Sequence, residues 1–245
     1  MPAVLTKRLT KKYKEKTAVN SLDLSIEEGE LFSLLGVNGA GKTTTIRMLT
    51  CLSTPTAGEA YICGHSTAKE SKEVKALVGI STQDTAVAEN LTVKENLQLI
   101  AGIFGFSKEK TAQRIDDMKS LFHLDDVMNS RAKTLSGGWK RKVSIAMALI
   151  SEPKVLFLDE PTLGLDVLAR RELWNAMNSL KGRITIILTT HYMEEAEQLS
   201  DRIAIMVGGK VRAVGTLAEL EEQSGEKGLE NTFVKIAGQA GGAEE

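Results

Sequence analysis

The sequence predicts an α/β fold: a mixed-sheet core, an antiparallel edge and an inserted helical lobe. Three observations point to it. Continuous apolar runs at Leu31–Gly36 (LFSLLG), Lys154–Glu160 (KVLFLDE) and Ile184–Thr190 (ITIILTT) read as strands covered on both faces. Between the last two, VLARRELWNAMNSL places Leu168, Leu173, Ala176, Met177 and Leu180 at helical spacing, and a strand–helix–strand unit implies parallel pairing with a right-handed crossover. The stretch from Thr92 to about Ser151 carries three helical patterns and no strand.

Taken in order, the chain opens with LTKRLTKKYKEKTAVNSLDLSIEEGEL, which reads as strands and turns. The strand LFSLLG leads into a helix from about Gly41. The helical lobe is expected between Gln83 and Pro153, and RIAIMVGGKVRAVG reads as a hairpin around Gly208–Gly209. The tail Ala237–Glu245 (AGQAGGAEE) is expected to fray. As boundaries, 1–83 and 152–215 form the core with the antiparallel sheet, 84–151 the helical part, and 216–245 a C-terminal helix and tail.

With 245 residues, 42% hydrophobic and 26% charged, the composition is that of an ordinary globular domain. A formal charge of −1 gives no global pull toward nucleic acid, and no nucleic-acid partner is expected. The basic cluster Lys140–Arg141–Lys142 reads as a solvated helix face. Cys51 and Cys63 lack zinc-site spacing and read as free thiols. The N-terminus has no apolar signal core, and the longest charge-free apolar stretch, Asn96–Ser107, is well short of the ~20 residues a spanning helix needs.

Chemistry begins at Gly36-Val37-Asn38-Gly39-Ala40-Gly41-Lys42-Thr43, which fits the phosphate-loop pattern G-x-x-x-x-G-K-[ST]. Its glycines let backbone N–H groups turn in around a phosphate, with Asn38, Gly39, Ala40 and Thr44 in the same cradle. The helix starting there adds its positive end. Lys42 reaches the β/γ oxygens, and the Thr43 hydroxyl ligates Mg²⁺. Asp159 ends a buried strand where it can hold Mg²⁺, and Glu160 beside it can polarise an attacking water. ATP hydrolysis with Mg²⁺ is the implied reaction.

LSGGWKRKVSIAMALISEP, followed by VLFLDEPTLGLD, resembles the signature helix, Walker B strand and D-loop of the ABC-type ATPases. The resemblance runs from Tyr13 to about Gly215 with the motifs in the family's order. It implies a P-loop NTPase (RecA-like) core with an antiparallel β subdomain and an inserted helical subdomain. It also implies that Ser136, Gly137 and Gly138 bind the γ-phosphate held by a second copy, so that two copies facing head to tail complete two sites. By the same resemblance, Tyr13 stacks on adenine, Gln83 touches Mg²⁺ or the attacking water, Asp166 reaches across the dimer, and His191 is the switch histidine. In isolation, a tyrosine in a strand or a histidine after one is more often structural. Two residues depart from the family pattern: Trp139 stands where glutamine is common, and Leu163 where a small residue is. Neither removes a phosphate-contacting group.

Similarity to exporter-type members, including drug and sodium efflux systems, implies an ATP-binding subunit working through a separate integral-membrane permease at the cytoplasmic face. The dimer would be of two identical chains or of this chain with a sibling. The alternative is a soluble ABC-type ATPase, for example in iron–sulfur cluster assembly. The groove for the permease is expected after Gln83, where Leu91, Val93, Leu97, Ile100 and Phe104 serve either the lobe core or the partner.

Overall fold

The computed structural model describes residues 1–241. An antiparallel hairpin, β1 (Val4–Tyr13) and β2 (Lys16–Ile26), leads into β3 (Leu31–Leu35), the phosphate loop and α1 (Lys42–Leu49). Next come β4 (Ala57–Ile62), β5 (His65–Ser66), α2 (Ser71–Leu77) and β6 (Val78–Ser81). The helical segment holds α3 (Val93–Ile103), α4 (Lys108–Phe122) and α5 (Gly137–Leu149). The chain then alternates through β7 (Val155–Asp159), α6 (Val167–Leu180), β8 (Thr185–Thr190) and α7 (Met193–Leu199). It closes with the hairpin β9 (Arg202–Val207) and β10 (Lys210–Gly215), then α8 (Leu217–Ser224) and α9 (Leu229–Gly241).

Two sheets result. The smaller runs β2-β1-β4-β5, all antiparallel. In β2 the solvent–core alternation is clean: Leu22, Leu24 and Ile26 are buried while Ser21, Asp23 and Ser25 are exposed, the period of two of a half-solvated sheet. The larger runs β10-β9-β3-β8-β7-β6, parallel from β9 to β6, with β10 antiparallel at the edge. Every residue of β3, β7 and β8 is buried, because helices cover one face and α1 with the smaller sheet covers the other. Thr189 of β8 aligns with Asp159 of β7, and Thr190 with Leu35 of β3, so the catalytic candidates leave the sheet at one edge.

The helices are capped as their sequences dictate. Thr92 and Glu95 form a reciprocal capping box at α3, Ser107 caps α4, and Ser136 caps α5. One core cluster joins Leu97, Met118 and Phe122 of the helical segment to Leu156, Leu158 and Leu188 of the sheet.

Three sequence expectations change. Ala237–Gly241 continue α9, and Ala237 packs with Leu229, Phe233 and Ile236 on the cluster of Leu35, Ile203 and Ile205; residues 242–245 lie outside the described residues. Leu168 has helical spacing but is 74% exposed, because α6 buries only the stripe Leu173, Ala176 and Met177. Arg141 and Lys142 are 5% exposed each, so the basic cluster is not a solvated face. Both charges are desolvated because α5 is packed among β6, β7, α3 and α4. Cys51 and Cys63 are free and half-buried, and burial pushes both thiols up. No helix among the described residues is long and apolar enough to cross a membrane.

Candidate functional site

Between β3 and α1 the chain must turn sharply around a space that remains open. Two glycines make this possible. A Cβ on Gly36 would meet the Met206 carbonyl oxygen at 2.4 Å. At Gly41, φ is +108°, and a Cβ would meet the Ala18 carbonyl oxygen at 2.5 Å. The turn opens into a cleft of about 530 Å³ lined by Tyr13, Asn38, Gly39, Ala40, Gly41, Lys42, Thr43, Thr44, Gln83, Glu160, Leu163 and His191. Tyr13 is 46% exposed at its mouth with Lys11 over its ring at 5.0 Å, so an aromatic face is held in place without being buried.

A chain of charges crosses the floor. Lys42 Nζ donates to the Gly36 carbonyl at 2.7 Å and lies 3.2 Å from Glu160 Oε1. Glu160 Oε2 is 2.8 Å from His191 Nδ1. The Lys42 and Glu160 side chains are only 5% and 7% exposed, so their attraction is little screened by solvent. Glu160 sits at φ +50°, a left-handed conformation costing a non-glycine residue on the order of 1 kcal/mol. Its backbone N–H holds the turn by donating to the Thr189 hydroxyl and carbonyl, both at 3.1 Å. Strain at a carboxylate aimed into a cleft is characteristic of functional positions.

Asp159 lies one residue back, 3% exposed. Its Oδ1 accepts from Thr43 Oγ1 at 3.1 Å and Thr189 Oγ1 at 2.5 Å, so two of the three expected metal ligands, Thr43 and Asp159, are already adjacent. Thr189 was not singled out from the sequence; its one signal was a hydroxyl inside a buried strand.

The remaining expected residues lie outside the cleft lining. Ser136 Oγ accepts from Trp139 N at 3.5 Å as the N-cap of α5, and Asp166 Oδ1 accepts from Ala169 N at 2.9 Å as the N-cap of α6. A side chain at Gly138 would lie against Leu165 and Ala169, so the signature segment and the segment after Glu160 adjoin each other within one chain. The chain thus carries two separate clusters: a phosphate cleft, and a glycine-rich helix start beside Asp166.

Arg141 ties α5 to the cleft. Its two terminal nitrogens donate to the carbonyls of Thr82 and Gln83 at 2.7 and 2.6 Å. Burial pulls its pKa down, opposed by Asp159 and Asp84, but a guanidinium stays charged under all relevant conditions. Ser81 and Ser144 hydroxyls add a 2.9 Å contact along the same seam. Lys142 ion-pairs with Glu172 of α6 at 2.5 Å and lies 4.5 Å from the Trp139 ring, so the unusual tryptophan lies against the cation of this pair. Replacing Arg141 by methionine is expected to destabilise the fold by about 3 kcal/mol, since two charge-assisted bonds are lost and two carbonyls orphaned. Urea denaturation measures it; a change below 0.5 kcal/mol, the ordinary range for surface positions, would show the clasp to be incidental.

Comparison with known proteins gives the family. A family model for the ABC transporter matches residues 19–163. Daunorubicin resistance ATP-binding protein DrrA3 of Streptomyces coeruleorubidus is 39% identical over 234 residues, 95% of this chain and 74% of that protein. Phospholipid-transporting ATPase ABCA3 of Homo sapiens is 43% identical over 222 residues, 91% of this chain but only 13% of that much longer protein. Among solved structures, the ATP-binding subunit of an ABC transporter matches with TM-score 0.87 and 31% identity, covering 96% of this chain and 99% of that one. A dimeric post-hydrolysis ATP-binding cassette bound to ADP and Pi matches with TM-score 0.79 and 29% identity, covering 87% and 98%. With a family match over more than half of its length and relatives of this identity and coverage, this chain belongs to the ABC transporter family as an ATP-binding cassette.

Proposed function

We propose that the chain hydrolyses MgATP in a head-to-tail dimer to drive export through a separate integral-membrane permease, to which it is bound at the cytoplasmic face. The observation carrying the permease reading is an unpartnered apolar ridge on α3, just past Gln83. Leu99, Ile103 and Phe104 are 46%, 71% and 38% exposed, whereas Val93 and Leu97 of the same helix are fully buried. Leu99 and Ile103 are four residues apart and so share a helix face, as an amphipathic partner helix requires. The direction of transport rests on the drug-resistance and phospholipid-transporting relatives.

Within the cleft, Tyr13 takes the adenine face, and the loop from Gly36 to Thr44 takes the phosphates. Lys42, now held by Gly36 and Glu160, turns its ammonium to the β- and γ-phosphates. The donor set fits Mg²⁺: Thr43 and Asp159 offer hard oxygens 3.1 Å apart, and this ion usually needs only one or two protein ligands beside waters and phosphates. Gln83 is assigned as a further ligand. The ion, when bound, neutralises charge on the phosphates. Glu160 orients the attacking water and draws its proton toward the carboxylate, and His191 holds that carboxylate through Nδ1 and faces the γ-phosphate with its other nitrogen. Ser136, Gly137, Gly138 and Asp166 serve the nucleotide of the opposing copy, the α5 dipole adding to the attraction. That role fits their position away from the cleft of their own chain.

Affinity capture from detergent-solubilised native membranes, with Glu160→Gln protein as bait, tests the reading. A stoichiometric multi-span protein is expected. Recovery of soluble proteins alone, with the bait dimeric on ATP, would replace the transporter reading by a soluble assembly ATPase. Ile103→Asp is expected to abolish capture while changing stability by less than about 0.5 kcal/mol, as at other exposed positions. Undiminished capture by this variant would locate the docking surface elsewhere.

A further inference from the structure

Glu195 of α7 is 1% exposed and has no part in the hydrolysis chemistry assigned above. Its Oε1 accepts from Trp174 Nε1 of α6 at 3.2 Å. The hydroxyls of Thr190, at the end of β8, and Thr162, in the turn after Glu160, face the same carboxyl. Its other oxygen, Oε2, is buried without a hydrogen bond, and so is Thr162 Oγ1. Buried polar atoms without partners are costly, and a charged carboxylate with one oxygen left so is costlier than a neutral acid.

We propose that Glu195 is a positioning residue for hydrolysis, a carboxylic acid that braces from behind the two segments carrying Glu160 and His191. Thr162 is two residues beyond Glu160, and Thr190 immediately precedes His191, so one side chain spans both. Trp174 anchors the brace to α6. A neutral group suits this place because a second carboxylate would repel Glu160 and weaken its ties to Lys42 and His191. Burial pushes the Glu195 carboxyl up against the smaller effect of the nearby Thr190, Thr162 and Trp174 groups, and Glu160 adds a lesser push in the same direction. Other charges border the site. From β7, Glu160 faces it while paired with Lys42 and His191. From α6, Arg170 directs its guanidinium over the Tyr192 ring at 5.2 Å and toward Glu194 at 3.8 Å.

The proposal rests on the roles given to Glu160 and His191, and two measurements on the full chain separate the ideas. Glu195→Gln, neutral and of the same shape, is expected to keep turnover within about twofold, whereas Glu195→Ala lowers kcat about tenfold at unchanged KM for ATP. The second measurement is melting temperature against pH. A folded-state pKa above the unfolded value means that the parent protein loses stability as pH rises from the ordinary carboxylate range toward the folded pKa. Glu195→Gln lacks that loss, so its melting temperature should gain on the parent's as pH rises above the ordinary carboxylate range. A difference flat with pH, or a glutamine variant as slow as the alanine one, would overturn the proposal. If Glu195→Ala does not fold, the pH comparison still decides. Were Glu160→Gln to prove fully active, the site assignment would fall, while the melting comparison would still report the charge state of Glu195.

Discussion

Glu160→Gln is expected to lower ATP turnover by about 10³-fold while leaving ATP bound between two copies of the chain. Glutamine keeps the volume and most contacts of the carboxylate but cannot draw a proton from water. It also removes a negative charge from a cleft that must accept phosphates. Nucleotide affinity should therefore hold or improve as chemistry stops, and a slow species sits where the dimer is closed. Phosphate release gives the rate, and gel filtration with ATP or ADP gives the assembly state. Normal turnover would mean that another group activates the water, and His191, 2.8 Å from Glu160, would be the next to replace.

Lys42→Ala is expected to have the second largest effect, and it acts on two quantities at once. Loss of the ammonium removes a charge-assisted bond to the phosphates, weakening ATP binding by about 100-fold. It also leaves Glu160, whose side chain is 7% exposed, without its cation. Orphaning one member of a buried pair costs about 3–5 kcal/mol, and retained contact with His191 places this case at the lower end. Adding Glu160→Gln to Lys42→Ala should then recover stability but not ATP binding, because the unpaired charge disappears while the missing phosphate contact does not. Denaturation of both single variants and the double variant closes the cycle. If the double variant is as unstable as the sum of the singles, the ion pair across the floor contributes nothing to the fold.

These expectations draw on features legible to different degrees in the sequence. The phosphate loop was fully legible because consecutive residues make it: backbone N–H groups of one short segment surround one space. Strands β3, β7 and β8 were equally plain, since continuous apolar runs have few alternatives once helices flank them. Strands β4, β5 and β6 and helix α2 were missed. They are short, and Ala57–Ile62 includes Gly58 and Glu59, which weaken any strand signal. Around α3, the sequence reading picked out Leu91, Val93, Leu97, Ile100 and Phe104, but it could not separate the residues that close the core from the exposed pair Leu99 and Ile103.

The charged residues show the limit most clearly. Arg141 and Lys142 look like a solvent-facing run, and Glu195 looks like one more acid in MEEAE. All three are buried, held respectively by the carbonyls of Thr82 and Gln83, by Glu172, and by Trp174. Every partner belongs to another element, so no local pattern announces it. The sequence by itself determined the phosphate-loop pattern and the acids at the end of β7, because these depend on residue identity within short segments. The tertiary structure alone decided which charges lose their water, how Lys42, Glu160 and His191 meet, and why Ser136 and Asp166 stand apart from that cleft. The reason is physical: desolvation and ion pairing depend on packing between distant segments, and packing exists only once the chain has folded.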